Sequence, residues 1–128
     1  MILLGRHEAR PVPSALALRF QLPQSPQDSA FYLTLFPRLA AHECRFVLFC
    51  DLRGFRLDHQ GEVEQNLAAK ASRAEFSARI RALVLMSDQP SERQRAAFAN
   101  FWSIPVEVHD DIPAATRAFL AFHDRLIG

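Results

Sequence analysis

The chain has 128 residues, a common length for one domain and enough to bury about two thirds of the surface its unfolded form exposes. Hydrophobic residues make up 49% and charged residues 23% of it, which argues against a long disordered stretch. Lys and Arg number 15 against 14 Asp and Glu, so no excess charge draws the protein onto nucleic acid or anionic lipid. A single domain over residues 1–128 is expected, with no nucleic acid among its partners.

Taken in chain order, Ile2 to Leu4 and Ala15 to Leu22 are apolar stretches separated by Arg10-Pro11-Val12-Pro13-Ser14. They read as two strands joined by a turn. Leu16, Leu18 and Phe20 alternate with Ala17, Arg19 and Gln21, the period of two of a half-buried strand. The opening apolar run is interrupted at Gly5-Arg6-His7-Glu8, so it lacks the core of a signal peptide, and no run approaches the ~20 residues that span a bilayer. No transmembrane segment and a cytoplasmic location are expected.

Ser25-Pro26-Gln27-Asp28 starts a helix: a serine cap, proline at the first helical position, and an acid near the positive end of the dipole. The helix runs towards His42 with Phe31, Leu35, Phe36 and Leu39 on one face, and Pro37 must bend or divide it. Arg45 to Cys50 is apolar enough for a central strand covered on both faces. Asp51-Leu52-Arg53-Gly54 ends it, and Asp58-His59-Gln60-Gly61 precedes a helix from Glu62 to Ile80 whose apolar stripe is Val63, Leu67, Ala71, Ala74 and Ala78.

Ala82 to Met86 follows as a strand. Ser91 and Gln94 form a capping box for a helix through Trp102, and Pro105 to Val108 is a last short strand. Asp110 or Asp111 caps a final helix with Phe119, Leu120 and Phe122 among its apolar positions. The order predicts an α/β fold: a mixed, largely parallel sheet of about five strands with four amphipathic helices.

Three core strands end beside acids, Asp51, Asp88 and Asp110-Asp111. Open parallel sheets bind ligands beyond the carboxyl ends of their strands, and clustered carboxylates there suit Mg²⁺ and phosphoryl transfer. Aspartate at a strand end also caps the next helix, and that reading is preferred. Ser91, Arg93 and Arg95 open a helix whose free N–H groups attract an anion, a possible anion-binding site. Cys44 and Cys50 form no C-x-x-C pair and read as reduced structural thiols, and His42, His59, His109 and His123 lack ligand spacing. No metal and no cofactor are therefore expected. Met1 to Glu8 resembles the opening strand and Arg-His pair of the histidine phosphatases, but Glu8 stands where that family has glycine. A strand leading into a polar turn is the reading taken.

The segment from Arg45 through Phe46-Val47-Leu48-Phe49-Cys50-Asp51-Leu52-Arg53 to Gly54 resembles the apolar strand and glycine turn of the STAS-like proteins, a group that includes anti-sigma-factor antagonists of the SpoIIAA type. The stretch from Ser91 through Val108 to Leu120 is similar to the end of bacterial STAS-like proteins related in fold to CRAL-TRIO lipid-binding domains. The resemblance implies a STAS-like fold from about Ala15 to Leu120 and a bacterial regulatory role. The family's phosphorylated serine lies in a D-S-S-G-like segment, whose nearest match here is Asp58-His59-Gln60-Gly61, without a hydroxyl. A serine switch is not expected at that place.

Three functions follow as expectations. The leading one is a non-enzymatic module that binds a partner protein through Asp51, Arg53, Gly54, Asp58, His59, Gln60 and Gly61, with a homodimer possible. The second is a carrier of a small apolar ligand or lipid, of CRAL-TRIO-like fold. The third is a receiver-like or metal-dependent phosphoryl-transfer domain using Asp51, Asp88 and Asp110.

Overall fold

The computed structural model describes residues 14–19, 24–42 and 44–127. Four strands, β1 (Ala15–Arg19), β2 (Phe46–Asp51), β3 (Ile80–Met86) and β4 (Val106–His109), form a sheet in the order β1-β2-β3-β4. All three pairings are parallel. The fold is thus α/β, and its described sheet is all-parallel with four strands rather than mixed with about five. The antiparallel component of the expected sheet rested on a hairpin with Ile2 to Leu4. Those residues, and the Arg6-His7-Glu8 run, lie outside the described residues.

Each crossover steps to the next strand in the same direction, so right-handed connections place the intervening helices on one face. That face carries the rows Leu16-Leu48-Leu83 and Leu18-Cys50-Leu85. They pack with Tyr32, Leu35, Leu39, Phe76 and Trp102 from the helices. The other face carries Ala15, Val47, Ala82, Val84 and Met86, and is covered by α6 (Ile112–Ile127) through Ala115, Ala118, Phe119 and Phe122. Phe46, Ile80, Val84 and Met86 are fully enclosed. Burial of such side chains stabilises the fold by about 1.5–3 kcal/mol each.

Two of the four expected helices are divided. The first becomes α1 (Pro26–Leu33) and α2 (Leu35–Ala40), broken at Thr34. Pro37 has no N–H for the Leu33 carbonyl, and its ring clashes with that group, so the break falls three residues before it. The Ser25 start signal forms a full capping box with Asp28. The second becomes α3 (His59–Ala71) and α4 (Arg73–Arg79), joined at Ser72. α5 (Glu92–Trp102) begins at Ser91, whose hydroxyl accepts from the Gln94 N–H at 3.1 Å; the Gln94 side-chain oxygen finds no partner among the described residues, so only half of the expected capping box forms.

The expected stripe of the second helix is on the wrong side. Val63, Leu67, Ala71, Ala74 and Ala78 are all exposed, with Leu67 at 63%. Gly61, Ala69 and Phe76 are buried instead, and Gln65 is half-buried. The reason is that α3 packs on α1 and α2 rather than directly on the sheet. Gly61 is crowded by the start of its own helix: a Cβ there would stand 3.1 Å from Asp58 Oδ1 and 3.2 Å from Leu57. Leu120 is likewise exposed, while its neighbour Phe119 carries the packing of α6. Among the described residues no helix is long and apolar enough to cross a membrane.

Candidate functional site

The carboxyl ends of the strands are knitted together by side chains from the segment that follows β2. Asp51 is 7% exposed, and Arg53 grips it with two parallel bonds, Nε to Oδ1 at 3.0 Å and Nη2 to Oδ2 at 2.9 Å. The Arg53 backbone N–H donates to the same carboxylate at 3.1 Å. Leu52 to Phe55 is a turn closed by the Phe55 N–H on the Leu52 carbonyl, and Gly54 sits in it at φ 74°, where only glycine is unstrained. The Gly54 N–H donates to Asp88 Oδ2 at 2.8 Å, and Arg56 reaches the same oxygen at 3.2 Å. The Gly54 N–H chiefly, with Arg56 beside it, holds the Asp88 carboxyl below the usual carboxylate range.

Beyond the turn, the Gln24 side chain brackets Arg56, accepting from its N–H at 2.7 Å and donating to its carbonyl at 2.6 Å. Asp58 accepts from the Gly61 N–H at 2.7 Å and so caps α3. His59, Gln60 and Gly61 are therefore the first turn of that helix, not part of the loop expected before Glu62. His59 and Gln60 are exposed, whereas Gly61 is buried. Of the expected partner-binding residues, Asp51, Arg53 and Gly54 form one hydrogen-bonded unit with Asp88. Asp58 and Gly61 form a second unit at the helix start.

The strand-end acids do not assemble as a metal centre. Asp51 is held by Arg53, Asp88 by Gly54 and Arg56, and Asp111 accepts from the Ala114 N–H at 3.1 Å as the cap of α6. Asp110 contributes to the field that keeps Arg53 charged, in which the Asp51 hydrogen bond is the largest cause. Among the described residues no group of three or more His, Cys, Asp or Glu side chains is placed to hold a metal ion. Among the described strands the order contains no reversal of the kind at which doubly wound sheets seat a ligand. At the expected anion site Ser91 is engaged with Gln94, Arg95 forks onto Glu92 with Nε at 2.8 Å from Oε2, and Arg93 is exposed.

A second site lies inside the helical layer. Because α3 rests on α1 and α2, a cavity of about 270 Å³ remains between α3, α5 and the sheet. Leu18, Leu48 and Leu85 form its floor, Leu35 and Leu39 one wall, and Phe98, Phe101 and Trp102 the opposite wall. Of these three aromatics on α5, Trp102 is buried and Phe98 and Phe101 are half-buried. Phe76 and Trp102 pack with ring centroids 4.3 Å apart, and Phe101 meets Trp102 edge-on at 4.6 Å.

One corner of the cavity is polar. Tyr32 donates to Gln65 Oε1 at 2.7 Å, and Cys50 lies in the same lining. Burial, with the Cys50 thiol adding to it, pushes the Tyr32 phenol well above its ordinary range. Burial first and Asp51 second push the Cys50 thiol up to about 12. Both groups are therefore neutral at physiological pH, as an apolar chamber requires. Comparison of the chain with family models, with curated proteins and with solved structures gives no match.

Sequence reasoning did not find the cavity, because no pattern in α3 shows that its buried face stands off the sheet. It also missed the contact between Ser14 and His123, whose Oγ and Nε2 are 3.0 Å apart across 109 positions. That contact ties the start of β1 to α6.

Proposed function

We propose that the chain is a non-enzymatic, bacterial STAS-like module that binds a small apolar molecule in its helical layer, as CRAL-TRIO relatives bind theirs. The observation that carries this reading is the 270 Å³ chamber with a mostly apolar lining. An apolar cavity of ~150 Å³ stays dry and accepts benzene, so this one is large enough for a body of about ten carbons. The strand Phe46–Asp51 running into the Gly54 turn supports the STAS-like assignment, since the resemblance expects that sequence of features.

Native mass spectrometry of gently purified protein tests the reading, with denaturing analysis of any co-purified molecule. A complementary assay uses Trp102, the chain's one tryptophan, which lines the cavity. Titration with 1-octanol should change its emission saturably. A clean apo mass together with unchanged emission would remove the proposal. The same mass reports whether the chain is a homodimer.

A second reading, recognition of a partner protein, is favoured by the rigidity of the segment from Asp51 to Gly61. Asp51, Asp88 and Gln24 fix its backbone, while Arg56, Asp58, His59 and Gln60 are exposed on it. A surface whose backbone is already ordered loses little entropy on docking. Replacing Arg56, His59 and Gln60 by alanine should abolish partner capture while leaving 1-octanol binding unchanged. Retained capture by that variant would reject the segment as the docking surface.

A further inference from the structure

The chemical class of the ligand can be narrowed from the mouth of the cavity, and this step rests on the cavity reading above. Lys70 is the one charged residue in the cavity lining, which contains no Asp or Glu. It is also the only lysine in the chain, and among the described residues it enters no ion pair. Asn66 lies one turn before it and also lines the cavity, and Arg73 follows three residues later, at the start of α4. Residues 66 and 70 share one face of α3, and Arg73 follows beyond the break at Ser72. Arg73 is fixed there by Phe101, a wall residue: its Nε donates to the Phe101 carbonyl at 2.9 Å, and its guanidinium carbon lies 4.7 Å from the ring centre.

The rim thus carries one ammonium and a carboxamide over a chamber lined by no acid, with the Arg73 guanidinium stacked on the outer side of the Phe101 wall residue. Lysine suits such a rim, because its four-carbon stem lies along apolar surface while the ammonium stays at the water. A neutral apolar guest would leave this charge unused. An anionic head attached to an apolar tail uses both parts: the tail fills the chamber, and the head accepts from Lys70 Nζ and the Asn66 amide.

We propose that the cavity binds a small apolar monocarboxylate, tail inward, with its carboxylate on Lys70 and Asn66 at the rim. Exposure of the rim keeps the charge contribution between that of a surface ion pair and that of a buried charged hydrogen bond, about five- to tenfold in affinity.

Three probes with the same tail, octanoate, 1-octanol and octylamine, titrated against Trp102 emission and by calorimetry, test this. Octanoate should bind the wild type about five- to tenfold more tightly than 1-octanol, and octylamine should bind weakest. Lys70→Glu should reverse the order of octanoate and octylamine and leave 1-octanol within twofold. Lys70 is exposed, so the substitution leaves the core intact; Lys70→Gln, which removes the charge without reversing it, should bring octanoate and 1-octanol together. Equal binding of octanoate and 1-octanol by the wild type, or an unchanged order in Lys70→Glu, would overturn the carboxylate assignment while the cavity reading stands. Failure of all three probes to bind would overturn both.

Discussion

Filling the cavity with a leucine at position 69 is the most direct physical test of the fold. Ala69 is buried on α3 and lines the chamber, and leucine is nearly as good a helix former as alanine. Ala69→Leu adds three carbons to an apolar space, worth about 0.8 kcal/mol each, or about 2.4 kcal/mol. Ordering the leucine side chain costs about 0.5–1 kcal/mol, leaving a net gain of about 1.5 kcal/mol. In urea denaturation the midpoint should rise by roughly 1 M, and Tm by about 5 °C, because 1 kcal/mol moves a domain of this size by several degrees. The same variant should bind 1-octanol more weakly, since the side chain occupies the guest's space. A full core at this place would respond oppositely, with overpacking costing about 1–3 kcal/mol. A fall in stability would therefore refute the existence of the chamber. Leu67→Ala on the same helix is the control. The amphipathic pattern read from sequence makes it a core truncation costing about 2–5 kcal/mol, whereas its observed exposure predicts a change within about 0.5 kcal/mol.

Other outcomes follow from single groups. Asp51→Asn should destabilise the protein by about 2 kcal/mol, measured by chemical denaturation; the expected cost of breaking a buried pair is reduced because Arg53 is 32% exposed. An unchanged midpoint would show that the ion pair does not organise the turn. Ser77→Ala should raise stability by about 1 kcal/mol, since the buried Ser77 hydroxyl has no hydrogen-bond partner among the described residues and alanine is the better helix former; a loss would mean the hydroxyl is satisfied by water. Cys50 should resist thiol reagents in the native protein at pH 8 and react only on unfolding, because burial keeps it protonated. With its folded-state value raised from 9.0 to about 12, the unfolded chain releases the proton first. Stability should therefore fall as pH rises through that window, by about 1.4 kcal/mol per unit from this group, and Cys50→Ala should flatten the decline.

The sequence by itself determined what is local. Ser25 with Asp28, and Ser91, cap helices through contacts three residues away, so their meaning survives without a tertiary structure. The run Phe46 to Cys50 needed only its unbroken apolar character to read as a central strand, and Pro37 announced a helix break by lacking an N–H. Tertiary structure alone decided which face of α3 is buried. Val63 and Leu67 outweigh Gly61 and Ala69 on any hydrophobic scale, yet it is Gly61 and Ala69 that the packing buries. The chamber exists because that seating holds α3 off the sheet, and no single segment encodes a gap. The joining of Gly54 to Asp88 across 34 positions depends on which strand ends the parallel sheet brings together, and that of Arg73 to Phe101 across 28 on the packing of α4 against α5. Periodicity reports which residues share a face; only packing decides what that face meets.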